Sequence, residues 1–269
     1  VEELKGIFLP QIIGGDNMYS NYGPLCTELY DLTKPVGYSI GGDIEYYLER
    51  LKGTKGRVLE AGVGSGRFLI PLLENGYDIE GIDYSPEMLD TCRKHCKERG
   101  FKPNLYEGDL SNFSLDSKYE VIVMPTGSFC LIENSKDAMD ALTCMYNHLI
   151  PGGRLIVDML LPTDWRTGEI TSSYYEISQE EGISLERKAV EMNWIDQYTL
   201  TILKYEKWRN GKLIDTELQR FPIRWYGIEE FQHILTSIGF SDITCSAEYV
   251  YNKKPSKEHS LITFEAVRK

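Results

Sequence analysis

The sequence predicts an α/β fold: a doubly wound, mostly parallel sheet of seven strands with its last strand antiparallel, and a second, antiparallel β unit inserted into it. Three observations carry this. From residue 56 to 160, short apolar runs alternate with segments of helical period, the pattern of successive βαβ units. One strand-to-helix junction holds three glycines at alternate positions, Gly62, Gly64 and Gly66. After Pro162 the helical pattern stops, and three or four β segments follow one another.

Each element has its own signal. Before the glycines, residues 25–32 read as a short helix between the turn-rich stretches Asn21-Tyr22-Gly23-Pro24 and Thr33-Lys34-Pro35-Val36-Gly37. Residues 43–51 read as a second helix, with Ile44, Tyr47, Leu48 and Leu51 on one face. The first strand ends at Glu60, and Phe68-Leu69-Ile70 opens the helix beyond the glycines. Asn75-Gly76 stops that helix. The second strand covers 78–83, and Ser85-Pro86-Glu87 starts the next helix as a cap, a first-turn proline and an early acid. Met88, Leu89, Cys92 and Cys96 form its buried face. Strands follow at 104–107, 119–124 and 153–160, with a helix over 135–149 between the last two.

Strands at 183–190, 198–208 and 213–218 belong to the insertion, and Asn210-Gly211 is a two-residue hairpin turn. A helix with Phe231, Ile234, Leu235 and Ile238 inward leads back to strands at 242–245 and 261–266. The link between those two is too short for a crossover helix, so the last strand should run antiparallel. The division is therefore an N-terminal cap segment, 1–55, a main domain, 56–162 and 226–269, and an insertion, 163–225, that serves as lid, as dimer interface or merely as its own small core.

Composition narrows the function. The formal net charge of −12 opposes phosphate-backbone binding, so no nucleic-acid partner is expected. No apolar run approaches the ~20 residues of a membrane span, and the first residues carry no basic-then-apolar signal pattern. Six scattered cysteines suggest a reducing cytosol. Cys92-x-x-x-Cys96 lies on one helical face with no second ligand pair, so both are read as structural thiols and no metal is expected. There is no Gly-x-Ser-x-Gly, and His148, His233 and His259 read as structural or solvated.

The glycine corner identifies the ligand type. A strand, a glycine turn and a helix form the nucleotide-facing corner of a βαβ unit. The dinucleotide fingerprint requires a third small residue at the position Arg67 occupies, and Glu60 would repel a pyrophosphate. A cationic ligand reverses that sign. Here the chain resembles the class I S-adenosylmethionine-dependent methyltransferases, whose signature is an acid followed by Gly-x-Gly-x-Gly, as in Glu60 to Gly66. The resemblance extends to Asp83 ending the next strand, to Gly108-Asp109-Leu110 and to Pro151-Gly152-Gly153. It covers roughly residues 56–160 and implies a Rossmann-like methyltransferase sheet finished by an antiparallel strand. The insertion is similar to that of small-molecule N-methyltransferases acting on amino sugars or glycine-like amines.

The implied cofactor is S-adenosylmethionine, with S-adenosylhomocysteine as product. Asp83, about 20 residues past the glycines, suits the ribose hydroxyls. Tyr84 and Met88 would enclose adenine, and Asp109 would accept from its amino group beside Leu110. The cofactor set is completed by Glu60, Gly62, Gly64, Gly66, Arg67, Met124 and Pro125, with Tyr22 and Tyr30 from the cap. Tyr38, Thr126, Ser128 and Phe129 are assigned to the acceptor, a small molecule methylated on N or O. No general base is evident, which favours an amine. A non-catalytic regulatory protein that kept the cofactor pocket is the rival of a different class; an NAD-dependent oxidoreductase is disfavoured by Glu60 and Arg67.

Overall fold

The computed structural model describes residues 18–269; residues 1–17 of the expected cap segment lie outside the described residues. β1 (Val58–Ala61) lies near the middle of a seven-stranded sheet. It pairs in parallel with β2 (Ile79–Asp83) on one side and β4 (Tyr119–Met124) on the other. β3 (Leu105–Glu107) extends the first side, and β5 (Leu149–Leu160) extends the second, both in parallel. β11 (Leu261–Arg268) sits antiparallel between β5 and β10 (Phe240–Ala247). The spatial order is thus β10-β11-β5-β4-β1-β2-β3, with the chain reversing direction across the sheet between β1 and β4. Ligands of doubly wound sheets bind at that reversal, beyond the carboxyl ends of the strands.

The central strands are buried on both faces, and their side chains divide residue by residue. Val58, Val121, Val123 and Ile156 pack under α2 (Asp43–Arg50), α3 (Leu69–Glu74) and α4 (Pro86–Glu98). Leu59, Ala61, Ile122, Met124 and Val157 pack under α5 (Ser135–His148) and α6 (Ile228–Ile238). Cys92 and Cys96 are buried in the first of these layers. α4 begins with Ser85 accepting the Met88 N–H at 3.1 Å and Pro86 at its first position. No helix among the described residues is long and apolar enough to cross a membrane.

Between β5 and α6 stands a separate antiparallel sheet of β6 (Ile170–Glu176), β7 (Glu181–Asn193), β8 (Tyr198–Arg209) and β9 (Lys212–Arg224), in that order. The strands are longer than their apolar cores suggested, because the ladders run on into charged cross-strand pairs such as Glu181 with Arg209. Asn210 and Gly211 both have positive φ, 49° and 71°, as a tight hairpin requires. The inserted sheet is not self-sufficient. Its inner residues Ile183, Leu185, Leu203 and Tyr205 are covered by Leu25, Cys26 and Leu29 of α1 (Pro24–Thr33). Glu217 of β9 accepts from the Leu25 N–H at 2.9 Å and from Ser20 Oγ at 2.7 Å, and Lys207 reaches Glu28 at 2.7 Å. Residues 20–29 and the inserted sheet therefore pack as one unit.

Candidate active site

A cavity of about 810 Å³ opens at the carboxyl ends of β1 and β4. Gly62 and Gly64 form its floor. Asp83, Tyr84, Met88, Asp109 and Leu110 line one side, and Met124, Thr126, Ser128, Leu160 and Tyr249 the other. Asn21, Tyr22, Tyr30 and Lys34 from the cap and Phe221 and Ile223 from β9 close it from above.

The alternate glycines do different work. All three are left-handed, at φ 78°, 54° and 85°. A Cβ on Gly66 would stand 2.7 Å from Cys92 Sγ, so this glycine lets α4 approach the turn. A Cβ on Gly64 would meet nothing within 4 Å; the room it leaves belongs to the cavity. The Gly64 N–H donates to Asp83 Oδ2 at 2.8 Å and the Ser85 N–H to Oδ1 at 2.9 Å. Burial pushes the Asp83 carboxyl up against these bonds, and each oxygen keeps a lone pair for a ligand hydroxyl.

Glu60 lies at the end of β1 behind the turn, 3 % exposed. Burial pushes its carboxyl well up; Arg67 opposes this, and Asp83 and Asp43 add to it. Among the described residues its Oε2 has no hydrogen-bond partner. An orphaned buried carboxylate is costly, and a ligand bearing a cation or N–H donors relieves it. The wall agrees in sign: Asp83, Asp109 and Asp137 line it against Lys34, while Glu133 is paired with Arg220. The Lys34 ammonium stands 4.5 Å over the Tyr30 ring, and burial lowers its pKa. A ligand with a sulfonium, an ammonium and ribose hydroxyls fits this set of groups.

Tyr22 lies across the cavity in left-handed backbone, φ 53°, with its carbonyl accepting from Ser85 Oγ at 3.1 Å. That bond fastens the cap to the start of α4. Tyr84 is 62 % exposed and Met88 2 %, so one presents its ring to the open cavity and the other backs it. Asp109 uses one oxygen to cap its own loop, at 2.8 Å from the Ser111 N–H.

Six expected site residues fall outside the cavity wall; one is Glu60, buried behind the glycine turn. Arg67 is 3 % exposed, and its guanidinium is spent on Asp43 Oδ2 and the Tyr38 carbonyl, each at 2.6 Å. It ties the glycine corner to the start of α2. The same bond explains Tyr38, which contributes its carbonyl there while half its surface faces outward. Phe129 is core, 1 % exposed between Tyr226 and Phe231. Pro125 takes part through its carbonyl, which holds Ser128 Oγ at 3.1 Å, and Gly66 packs on α4. Conversely, the sequence reading assigned nothing to Lys34, Glu133, Asp137, Phe221, Ile223 or Tyr249, all of which line the cavity. Only the acid–helix spacing of Glu133 and Asp137, at the mouth of α5, was visible beforehand; the others arrive from distant segments.

Residues 58–153 match the family model described as a methyltransferase domain. The chain is 23% identical over 225 residues to the putative methyltransferase YqeM of Bacillus subtilis (strain 168), covering 82% of this chain and 87% of that one. Its fold is similar to that of an S-adenosylmethionine-dependent methyltransferase from Clostridium acetobutylicum ATCC 824, with a TM-score of 0.72 at 20% identity over 90% of this chain and 96% of that one. It is also similar to the sugar N-methyltransferase KedS8 from Streptoalloteichus sp ATCC 53650, with a TM-score of 0.70 at 19% identity over 96% and 98% of the two chains. A glycine corner that welcomes a cation, an acid at the end of β2 and a matching methyltransferase domain converge: the chain is a class I S-adenosylmethionine-dependent methyltransferase.

Proposed function

We propose that the protein methylates the nitrogen of a small amine. The observation that carries this reading is the acid-lined cavity of about 810 Å³, roofed by the segment around α1 and by β9, with Asp137 beyond the glycine floor. That volume lies in the range of small-molecule sites, about 300–1,000 Å³. The Asp137 carboxylate, at the end away from the ribose acids, favours a cationic partner. The likeness to a sugar N-methyltransferase supports an amine borne on a small polar scaffold.

Within this reading Asp83 accepts the ribose hydroxyls, Asp109 the adenine amino group, and Tyr84 and Met88 enclose the adenine. Glu60 sits under the methionine end, where its orphaned oxygen meets the positive charge. Tyr22 and Tyr30 hold the donor from above and shield the sulfonium, a cation–π contribution of about 0.5–2 kcal/mol. The protein's work is alignment and exclusion of water, since the methyl carbon is already activated. We assign the insertion the role of lid, because Phe221 and Ile223 of β9 complete the cavity. Six free cysteines, four of them buried, support a reducing compartment such as the cytosol. Radiolabelled methyl transfer into a metabolite library should label amines; efficient labelling of intact RNA or protein instead would overturn the reading.

A further inference from the structure

Asp158, near the end of β5, is fully buried and carries four hydrogen bonds. Tyr249 Oη donates to its Oδ2 at 2.7 Å and the Thr126 N–H to the same oxygen at 2.6 Å. Thr263 Oγ1 donates to Oδ1 at 2.6 Å and Tyr47 Oη at 3.0 Å. Among the described residues no cation pairs with the carboxylate. Burial raises it to about 6, with the four donors holding it down.

Two of these donors, Thr126 and Tyr249, line the cavity, and both stand in left-handed backbone, at φ 56° and 53°. Glu248, at φ 52°, precedes Tyr249 in the same conformation. Such positions cost non-glycine residues energy and persist where the surroundings over-determine them. Here the buried carboxylate clamps both loops. The strand order places this pair on the acceptor side. Asp83 ends β2 and Asp109 follows β3, to one side of β1, while Thr126, Asp158 and Tyr249 lie on the β4-β5-β11 side. A donor whose adenosine end meets the two aspartates turns its methyl group toward Tyr249.

We propose that Tyr249, backed by Asp158, receives the proton of the acceptor amine; this rests on the amine reading above. The acceptor's ammonium N–H points at Tyr249 Oη. As its proton moves to that oxygen, Tyr249's own proton passes to Asp158 Oδ2. The neutral amine then attacks: the N–C bond forms, the C–S bond breaks and its electron pair goes to sulfur. The methylated ammonium departs, and Asp158 returns one proton to solvent for each methyl transferred. Tyr249 is the catalytic residue. Asp158 is the positioning residue and final proton acceptor, acting through Tyr249.

Tyr249 also packs on Tyr46 and Tyr47, with ring centroids 5.6 and 6.4 Å away, so Tyr249→Phe keeps the packing and removes only Oη. The test uses the full chain loaded with S-adenosylhomocysteine and ¹³C-labelled methylammonium as probe, followed by NMR. Methylammonium should bind, and Tyr249→Phe and Asp158→Asn should each weaken it by about tenfold or more, the loss of a hydrogen bond in a charged network. S-adenosylhomocysteine affinity should stay within about twofold, since its contacts lie across the cavity. In the unaltered protein, methylammonium binding should fall as pH drops through about 6, when Asp158 takes a proton, and Tyr249→Phe should flatten that step. The other titratable groups near the pair are Asp43, beside Tyr249, and Tyr46, Tyr47 and Cys130; burial pushes the last three up, away from that pH. If Asp158→Asn does not fold, Tyr249→Phe decides alone. Absence of S-adenosylhomocysteine binding would sink the methyltransferase reading itself. Normal S-adenosylhomocysteine binding with methylammonium unbound, or indifferent to Tyr249→Phe, would overturn only the role of Tyr249.

Discussion

The two ends of the cavity are built on opposite principles. On the proposed reading, the donor end comes mainly from one stretch, residues 58–110, with Tyr22 and Tyr30 above it, and much of it is backbone: three left-handed glycines, the Gly64 N–H on Asp83 and a loop capped by Asp109. The acceptor end is assembled from four separated segments, the cap, the loop after β4, strand β9 and the turn before β11. Side-chain pairs across long sequence distances hold it: Glu217 on the cap, Arg220 bidentate on Glu133 at 2.8 and 2.9 Å, and Tyr249 on Asp158. A ligand common to many enzymes is met by backbone geometry, which tolerates little change. A ligand particular to one enzyme is met by exchangeable side chains on loops.

The strongest way to break this contrast is at the joint between the two ends. Arg67 and Asp43 form a buried pair at 2.6 Å that locks the glycine corner to α2. Arg67→Met strands a buried carboxylate, and the expected loss of stability is about 3–5 kcal/mol. Urea unfolding measures it, and a second change, Asp43→Leu, should restore part of the loss. A cost under about 1 kcal/mol would mean that the pair behaves as a surface bridge and that the ends are not locked together.

A sharper cut separates the glycines. Gly66→Ala drives a Cβ against Cys92 Sγ from a left-handed residue and should cost about 2–3 kcal/mol of stability. Gly64→Ala meets open space and should cost only the backbone term, about 1–2 kcal/mol, while losing more of its S-adenosylhomocysteine affinity. Thermal unfolding and calorimetry together make the comparison. Parallel losses in both variants would erase the distinction between a packing glycine and a ligand-facing one.

The smallest expected effect concerns one contact. Asp83→Ala should weaken S-adenosylhomocysteine binding by about 1–3 kcal/mol by calorimetry, with NAD showing no binding in either protein. An unchanged affinity would remove Asp83 from the ribose.

Deleting the cap outright is a poor probe of the acceptor end. α1 covers Ile183, Leu185, Leu203 and Tyr205, so its loss would uncover the inner face of the inserted sheet and confuse folding with catalysis.

The sequence alone determined the sheet, its single antiparallel strand, the β-rich insertion and the glycine corner. These rest on local rules: strand and helix periods, the φ that a glycine turn needs, and the length a crossover requires. The acids Glu60 and Asp83 were legible for the same reason, because a strand end beside a glycine turn places them. Arg67 and Phe129 were not, since a side chain's direction depends on what packs beside it. Asp43 drew the guanidinium away from the cavity, and Tyr226 and Phe231 took the ring into the core. Asp158 read as one more residue of a buried strand until Tyr47, Thr126, Tyr249 and Thr263 met around it. Up to 111 residues separate those groups from it, so no local pattern announces the meeting. Burial of the Asp158 carboxylate is tolerated because four donors converge on it, and convergence is a property of the folded chain.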